Sequence, residues 1–129
     1  MRLLLDTHVW LWMIAEQERF TIETAALLEN SSNDLLLSAV SSWEIAIKHS
    51  LGKLTLPAPP ANYVPQQIAR TGVTPLPVEH SHALRVAALP SHHRDPFDRL
   101  LVAQAELEGA TLLTGDRQFA PYGIQIHWA

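Results

Sequence analysis

Apolar residues fall in two rhythms along this chain. Leu3-Leu4-Leu5, Leu35-Leu36-Leu37 and Leu112-Leu113 are unbroken runs bounded by polar residues. Runs without alternation are expected of strands covered on both faces. They predict strands over residues 3–5, 34–40 and 110–114. A last strand is predicted over 123–128, and a proline-marked edge strand or extended segment over 74–78. Between these runs the spacing becomes helical, predicting helices over residues 8–15, 21–30, 41–51, 63–70, 79–89 and 96–108. Gly52 and Gly109 fit two of the helix stops. Strands alternating with helices predict an α/β fold, a mainly parallel central sheet between two helical layers. No internal repeat, low-complexity tract or linker interrupts the pattern, so residues 1–129 read as one domain.

The helix after Asp95 organises the rest. Asp95 suits the N-cap, because its carboxylate can accept a bond from a free backbone N–H of the first turn. Pro96 suits the first helical position, where no N–H is needed. Leu100, Leu101, Val102, Ala103, Ala105 and Leu107 then make the helix apolar nearly all round, as for a helix inside a domain. Asp98 nevertheless sits in its first turn, and an acid there is either a cap or a piece of chemistry.

Composition narrows the choice. With 47% hydrophobic residues, disorder is not expected. No apolar run is long enough to span a bilayer, and no signal-like cleavage pattern follows the N-terminus, so a cytoplasmic location without membrane contact is expected. The chain has no cysteine, which excludes disulfides and thiolate metal sites and fits a reducing compartment. Thirteen acids face nine Lys and Arg, a net charge of −4 that argues against a nonspecific nucleic-acid coat. The excess of four equals one small group: Asp6, Glu44, Asp98 and Asp116.

Each of these acids has a structural explanation. Asp6 can cap the first helix. Ser41-Ser42-Trp43-Glu44 spells a capping box. Asp98 lies three after the Asp95 cap, and Gly115-Asp116 can be a turn. Yet all four fall at a strand end or a helix start, which share one edge of a parallel sheet. Ligands of open α/β sheets bind outside that edge. Four carboxylates there repel strongly without a cation. Oxygen donors suit a hard ion, Mg²⁺ or Mn²⁺, which can orient a phosphodiester, acidify a water and stabilise the leaving oxygen. The reaction class is hydrolysis by water, with no covalent enzyme intermediate.

Leu5-Asp6-Thr7-His8, Ser42-Trp43-Glu44-Ile45, the block from His93 and Arg94 through Asp95-Pro96-Phe97-Asp98-Arg99-Leu100-Leu101-Val102-Ala103-Gln104-Ala105, and Leu113-Thr114-Gly115-Asp116 resemble a PIN domain. The type most similar is the VapC toxin of bacterial type II toxin–antitoxin pairs. The resemblance runs over essentially the whole chain, and Asp-Pro-Phe-Asp-Arg-Leu-Leu is its most specific block. It implies a Mg²⁺- or Mn²⁺-dependent endoribonuclease acting on tRNA, rRNA or mRNA. Such an enzyme is usually a homodimer and is silenced by a VapB-type antitoxin. It also implies Asp6, Glu44, Asp98 and Asp116 as the catalytic metal-holding acids, with Asp95 either a helix cap or an acid behind the site.

Other residues carry weaker signals. Arg99 is expected to hold RNA phosphate, and Arg117 to be a surface charge. Thr7 and Thr114 can cap or serve the site. His80 and His82, or His92 and His93, lack a third matched ligand for zinc, and His93 can instead turn the loop before Asp95. Trp43 is expected to pack. Trp10 and Trp12 lie two apart and cannot share one helix face, so one of them, with the apolar 54–60 loop, is expected to meet a partner. The alternatives are a housekeeping PIN nuclease, a DNA-directed one, a catalytically silent RNA- or protein-binding PIN module, and a receiver-like phosphoacceptor. The last usually wants a late lysine, and none follows Lys53.

Overall fold

The computed structural model describes residues 1–92 and 95–129. Expectations for His93 and Arg94, including a zinc pair with His92 and a turn before Asp95, lie outside the described residues. Among the described residues, five strands form one sheet in the order β3-β2-β1-β4-β5, every neighbouring pair parallel. The strands are β1 (Arg2–Leu5), β2 (Asp34–Ser38), β3 (Thr74–Leu76), β4 (Thr111–Thr114) and β5 (Ile126–Trp128). The helices are α1 (Thr7–Ala15), α2 (Ile22–Glu29), α3 (Ala39–Ser50), α4 (Pro60–Thr71), α5 (His80–Arg85) and α6 (Pro96–Glu108). Among the described residues no helix is long and apolar enough to cross a membrane.

The apolar runs explain the layers. Side chains alternate along a strand, and parallel register aligns them across the sheet. Leu4 stands beside Leu36 and Leu112, and all three enter a cluster with Leu101, Val102, Ala103 and Ala105 of α6. Leu5 stands beside Leu113, and with Leu37 they join Val9 and Trp10 of α1, Ile45 of α3 and Val64 of α4 in a second cluster. The sheet is therefore greased on both sides, the expected α/β/α arrangement. β1 lies at its centre, and the chain winds outward from it in opposite directions. The crevice between β1 and β4 is the point where strand order reverses, where α/β sheets bind ligands.

Several boundaries differ from the sequence reading, each for a local reason. β2 stops at Ser38, whose hydroxyl accepts from the Val40 N–H and starts α3 at Ala39. Ser41 and Glu44 therefore lie inside a helix, and the expected capping box does not exist. Pro60 takes the first position of α4, lengthening it, and Gly72 at φ 72° ends it. The 79–89 helix breaks into α5 and a 3₁₀ turn at Val86–Ala88. An unforeseen 3₁₀ segment, Arg117–Tyr122, follows β4.

The aromatic expectations also change. Trp10 is fully buried and its indole N–H donates to Thr71 Oγ1 at 3.2 Å. Trp12 is covered from within the chain, tilted against Phe20 at 6.2 Å and touched by the Arg19 guanidinium. Leu54 and Leu56 of the 54–60 loop pack on the second cluster. Trp12, Leu54, Leu56 and Pro57 stay partly open and line a mainly apolar groove together with Leu11 and Tyr63. Trp43, expected to pack, is 52% exposed and meets Phe97 edge-on at 4.7 Å. It begins an exposed row with Ile47 on α3 and Leu51 at its C-cap.

Candidate active site

Asp6 directly follows β1 and is buried. It occupies the N-cap position of α1, but its side chain makes no cap bond. Its Oδ2 instead accepts from Thr114 Oγ1 at 2.7 Å, and the Thr114 hydroxyl accepts from the Asp116 N–H at 3.0 Å. One threonine at the end of β4 thus ties the two acids on either side of the β1–β4 crevice. Asp116 is also the cap of its 3₁₀ turn, accepting from the Gln118 N–H at 2.9 Å.

The first residue of α1 does the same for α3. Thr7 Oγ1 lies 2.8 Å from Glu44 Oε1 and 2.8 Å from Ser41 Oγ, with all three residues buried. The second Glu44 oxygen, Oε2, is paired with the Lys48 ammonium one turn along α3. Ser41 and Lys48 carry contacts the sequence reading missed. The i, i+4 spacing of Glu44 and Lys48 was a legible signal, whereas Ser41 had been absorbed into the capping box.

Asp95 caps α6 as expected, with Oδ1 accepting from the N–H groups of Phe97 at 2.8 Å and Asp98 at 3.2 Å. This cap fixes the first turn, and with it the start of the Asp98 side chain. Asp98 is buried, and its carboxyl is pushed up to about 8. Burial is the largest cause, followed by the charges of Asp95, Asp6, Glu44 and Asp116. The acids from four separate segments therefore act on one another. Asp6 is also raised, chiefly by burial and further by Glu44, against the Thr114 bond and the charge of His8. For Lys48, burial works downward, but the Glu44 hydrogen bond and the charges of Glu44, Asp95 and Asp98 outweigh it and leave the ammonium raised.

Arg99 corrects an expectation. Its Nη1 donates to the Pro90 carbonyl at 2.8 Å and the Tyr122 hydroxyl at 3.2 Å, and its Nη2 to the Val86 carbonyl at 3.0 Å. Both ends of the guanidinium are spent bracing residues 86–90. Arg117 lies over the Trp128 ring, 4.2 Å from its centre. His82 is buried in a structural network with Glu79, Gln104 and Glu108.

The donor set suits a hard divalent ion: oxygen ligands, no thiolate, and a carboxyl, Asp98, raised first by burial and then by the neighbouring acids. Among the described residues no three acidic or histidine side chains are gathered tightly enough to enclose an ion as they stand. Glu44 is turned toward Thr7 and Lys48, which accounts for part of that spread.

Comparison with known proteins gives the family and the fold. The PIN domain family matches residues 3–124. Over 119 residues the chain is 33% identical to ribonuclease VapC22 of Mycobacterium tuberculosis, covering 89% of this chain and 87% of that protein. A shorter match, 48% identical over 71 residues, links it to ribonuclease VapC16 of the same organism, spanning 54% of this chain and 50% of that protein. In fold it is similar to a chain of the Rickettsia felis VapBC2 complex solved on a fragment of its promoter DNA. The TM-score is 0.72 at 16% identity, with 98% of each chain covered. With a parallel sheet of this order and acids gathered at its switch point, the chain belongs to the PIN-domain family, among the VapC ribonucleases.

Proposed function

We propose that this protein is a divalent-metal-dependent endoribonuclease toxin that hydrolyses RNA phosphodiester bonds and is held silent by a VapB-type antitoxin. The observation that carries the reading is Asp98, a carboxyl driven up to about 8 by burial among Asp95, Asp6, Glu44 and Asp116 at the sheet's switch point. Asp6, Glu44, Asp98 and Asp116 hold Mg²⁺ or Mn²⁺. The ion supplies Lewis-acid stabilisation of phosphate charge and a more acidic water. The remaining work belongs to the chain. Thr114 holds Asp6 in place and receives the Asp116 N–H, Thr7 and Ser41 fix Glu44, and Asp95 sets the turn that bears Asp98. Asp6, Glu44 and Asp98 are buried and held by these partners, so the chain fixes the elements that bear them before the ion and the substrate arrive.

The partners follow the same reading. The exposed row of Trp43 and Ile47 on α3 and Leu51 at its C-cap is an apolar face of the kind covered in a homodimer. A basic antitoxin side chain that paired with the acids would compete with metal for them. The protein is cytoplasmic, where its RNA substrates lie.

The test is incubation of purified protein with tRNA and rRNA, with Mg²⁺, Mn²⁺ or chelator, followed by sequencing of RNA ends. Metal-dependent cleavage at defined positions, abolished in Asp98→Asn, is expected. Cleavage that survives chelation or the Asp98→Asn change would overturn the assignment.

A further inference from the structure

Glu44 is 3% exposed at its side chain and Lys48 32%, so the lysine reaches from the buried acid toward solvent. On a helix surface an i, i+4 pair like this is ordinary and weak. Here its acidic member lies inside the site, and the ammonium also feels Asp95 and Asp98 on α6. Both Glu44 oxygens are engaged, Oε1 with Thr7 and Oε2 with Lys48. A divalent ion that takes Glu44 must therefore compete with the lysine. A lysine suits exchange of this kind, being a point charge on a flexible stem rather than a planar fork locked to two oxygens. Once displaced, it is a cation one-third exposed beside acids that act on phosphodiesters.

We propose that Lys48 is the resident cation of the acidic site: it occupies Glu44 until a divalent ion arrives, then turns its ammonium to an RNA phosphate. The proposal rests on the ribonuclease reading above. In this role Lys48 sets the ion concentration at which the site fills and contributes one phosphate contact only in the filled state. A purely structural salt bridge has neither property.

The test uses the full chain and two readouts other than cleavage. Calorimetry with Mn²⁺ or Ca²⁺ alone measures ion affinity. Binding of a short single-stranded RNA of mixed sequence, measured across salt concentrations in chelator and in Ca²⁺, counts phosphate contacts. Lys48→Met is expected to bind the ion about tenfold more tightly, because a competing positive charge is gone. In Ca²⁺ its salt slope for RNA is expected to be shallower than wild type by about 0.7, the value of one lost contact on a single strand. In chelator the two slopes coincide. If Lys48→Met does not fold, Lys48→Gln keeps a donor to Glu44 without the charge and carries the same expectations. Unchanged or weaker ion affinity, or equal RNA slopes in Ca²⁺, overturns the proposal. Asp98→Asn in the same calorimetry separates the two levels. If Asp98→Asn abolishes ion binding while the Lys48 variants match wild type, the Lys48 proposal alone falls. If Asp98→Asn binds the ion like wild type, the site reading itself falls.

Discussion

The two ends of α6 bury polar groups in opposite ways. At its N-terminus, Asp98 is surrounded by Asp95, Asp6, Glu44 and Asp116, and its carboxyl is raised to about 8. At its C-terminus, Glu108 accepts from His82 Nε2 at 3.0 Å and pairs with Arg2 at 3.5 Å, and its carboxyl is lowered, first by the His82 bond. The helix dipole alone would do the reverse, favouring the anion at the N-terminus and opposing it at the C-terminus. That effect amounts to about 0.3–1 kcal/mol, and near neighbours overrule it at both ends. Where a fold needs an acid for structure, it gives the acid a cation. Where acids are crowded against acids, the fold is bearing a cost for something else, and the metal-dependent hydrolysis proposed above would account for it.

The sharpest way to break this contrast is Asp98→Asn. Cleavage is expected to fall by about a thousandfold or more, equivalent to about 4 kcal/mol of barrier. The metal-free fold is expected to gain about 1–3 kcal/mol at the alkaline side, because one crowded charge is gone. Cleavage assays and denaturant unfolding check the two halves. A variant that unfolds would make Asp98 a structural part of the α6 cap instead.

Next in size is the pH dependence of the metal-free protein. Asp98 is raised from 3.8 in the unfolded chain to about 8 in the fold. Its contribution to stability is fully present below the unfolded value and is lost as pH rises through the folded one. The unfolding free energy in chelator should therefore decline between about pH 4 and pH 8, by an amount on the order of a few kcal/mol, and the melting temperature should fall with it. Millimolar Mg²⁺ or Mn²⁺ should flatten that decline by binding the ionised site, more tightly as pH rises. Glu108 pulls the other way: its lowered carboxyl adds stability above its unfolded value of 4.5 that is lost as pH falls. Asp98→Asn should remove the part of the alkaline decline that Asp98 carries, leaving the part from the raised Asp6, and should leave the acidic decline. A metal-free melting temperature that rose from pH 5 to pH 8 would contradict the assignment of crowding to Asp98.

The alternation of leucine runs with helical spacing made the layers legible, because periodicity reports burial and burial is what a sheet between helices imposes. The placement of Asp6, Asp98 and Asp116 was legible for the same reason, since strand ends and helix starts share an edge; Glu44 instead lies inside α3. Contacts between distant segments were not. Nothing local to Thr114 says that its hydroxyl will meet Asp6, or that Thr7 will meet Glu44 across to α3. Local patterns also misled. Ser41 and Glu44 have capping-box spacing, but Ser38 started the helix first. Arg99 beside an acid suggested phosphate binding, but the carbonyls of residues 86–90 needed donors more. Trp10 and Trp12 could not share a helix face, yet Phe20 covered one from elsewhere in the chain.

The C-terminal end of α6 tests the structural side of the comparison. His82 is buried, accepts from the Glu79 N–H at 2.9 Å through Nδ1 and meets Glu108 through Nε2. His82→Ala leaves the Glu79 N–H without its acceptor and a cavity where the buried ring stood. A loss of about 2–3 kcal/mol is expected, with cleavage per folded molecule unchanged. Denaturant midpoints and active-site-normalised rates distinguish this from a catalytic histidine.

The smallest effect is expected one turn away, where Arg85 Nη2 meets Glu106 Oε1 at 2.5 Å. The pair has the same chemistry as a structural ion pair, but its side chains are 39% and 37% exposed. Water screens both charges, and holding two long side chains in register costs entropy. Glu106→Gln should therefore lose less than about 0.5 kcal/mol, with that loss vanishing in high salt. The value of the measurement lies in the pairing with His82→Ala. Both changes remove an acid–base contact at the same end of one helix, and they differ in burial. If Glu106→Gln cost as much as His82→Ala, pairing alone would govern stability there, and the argument from Asp98, which turns on burial before charge, would lose its footing. If the two costs separate as expected, burial decides how much a polar contact matters at one end of α6, and how strongly crowded acids demand a cation at the other.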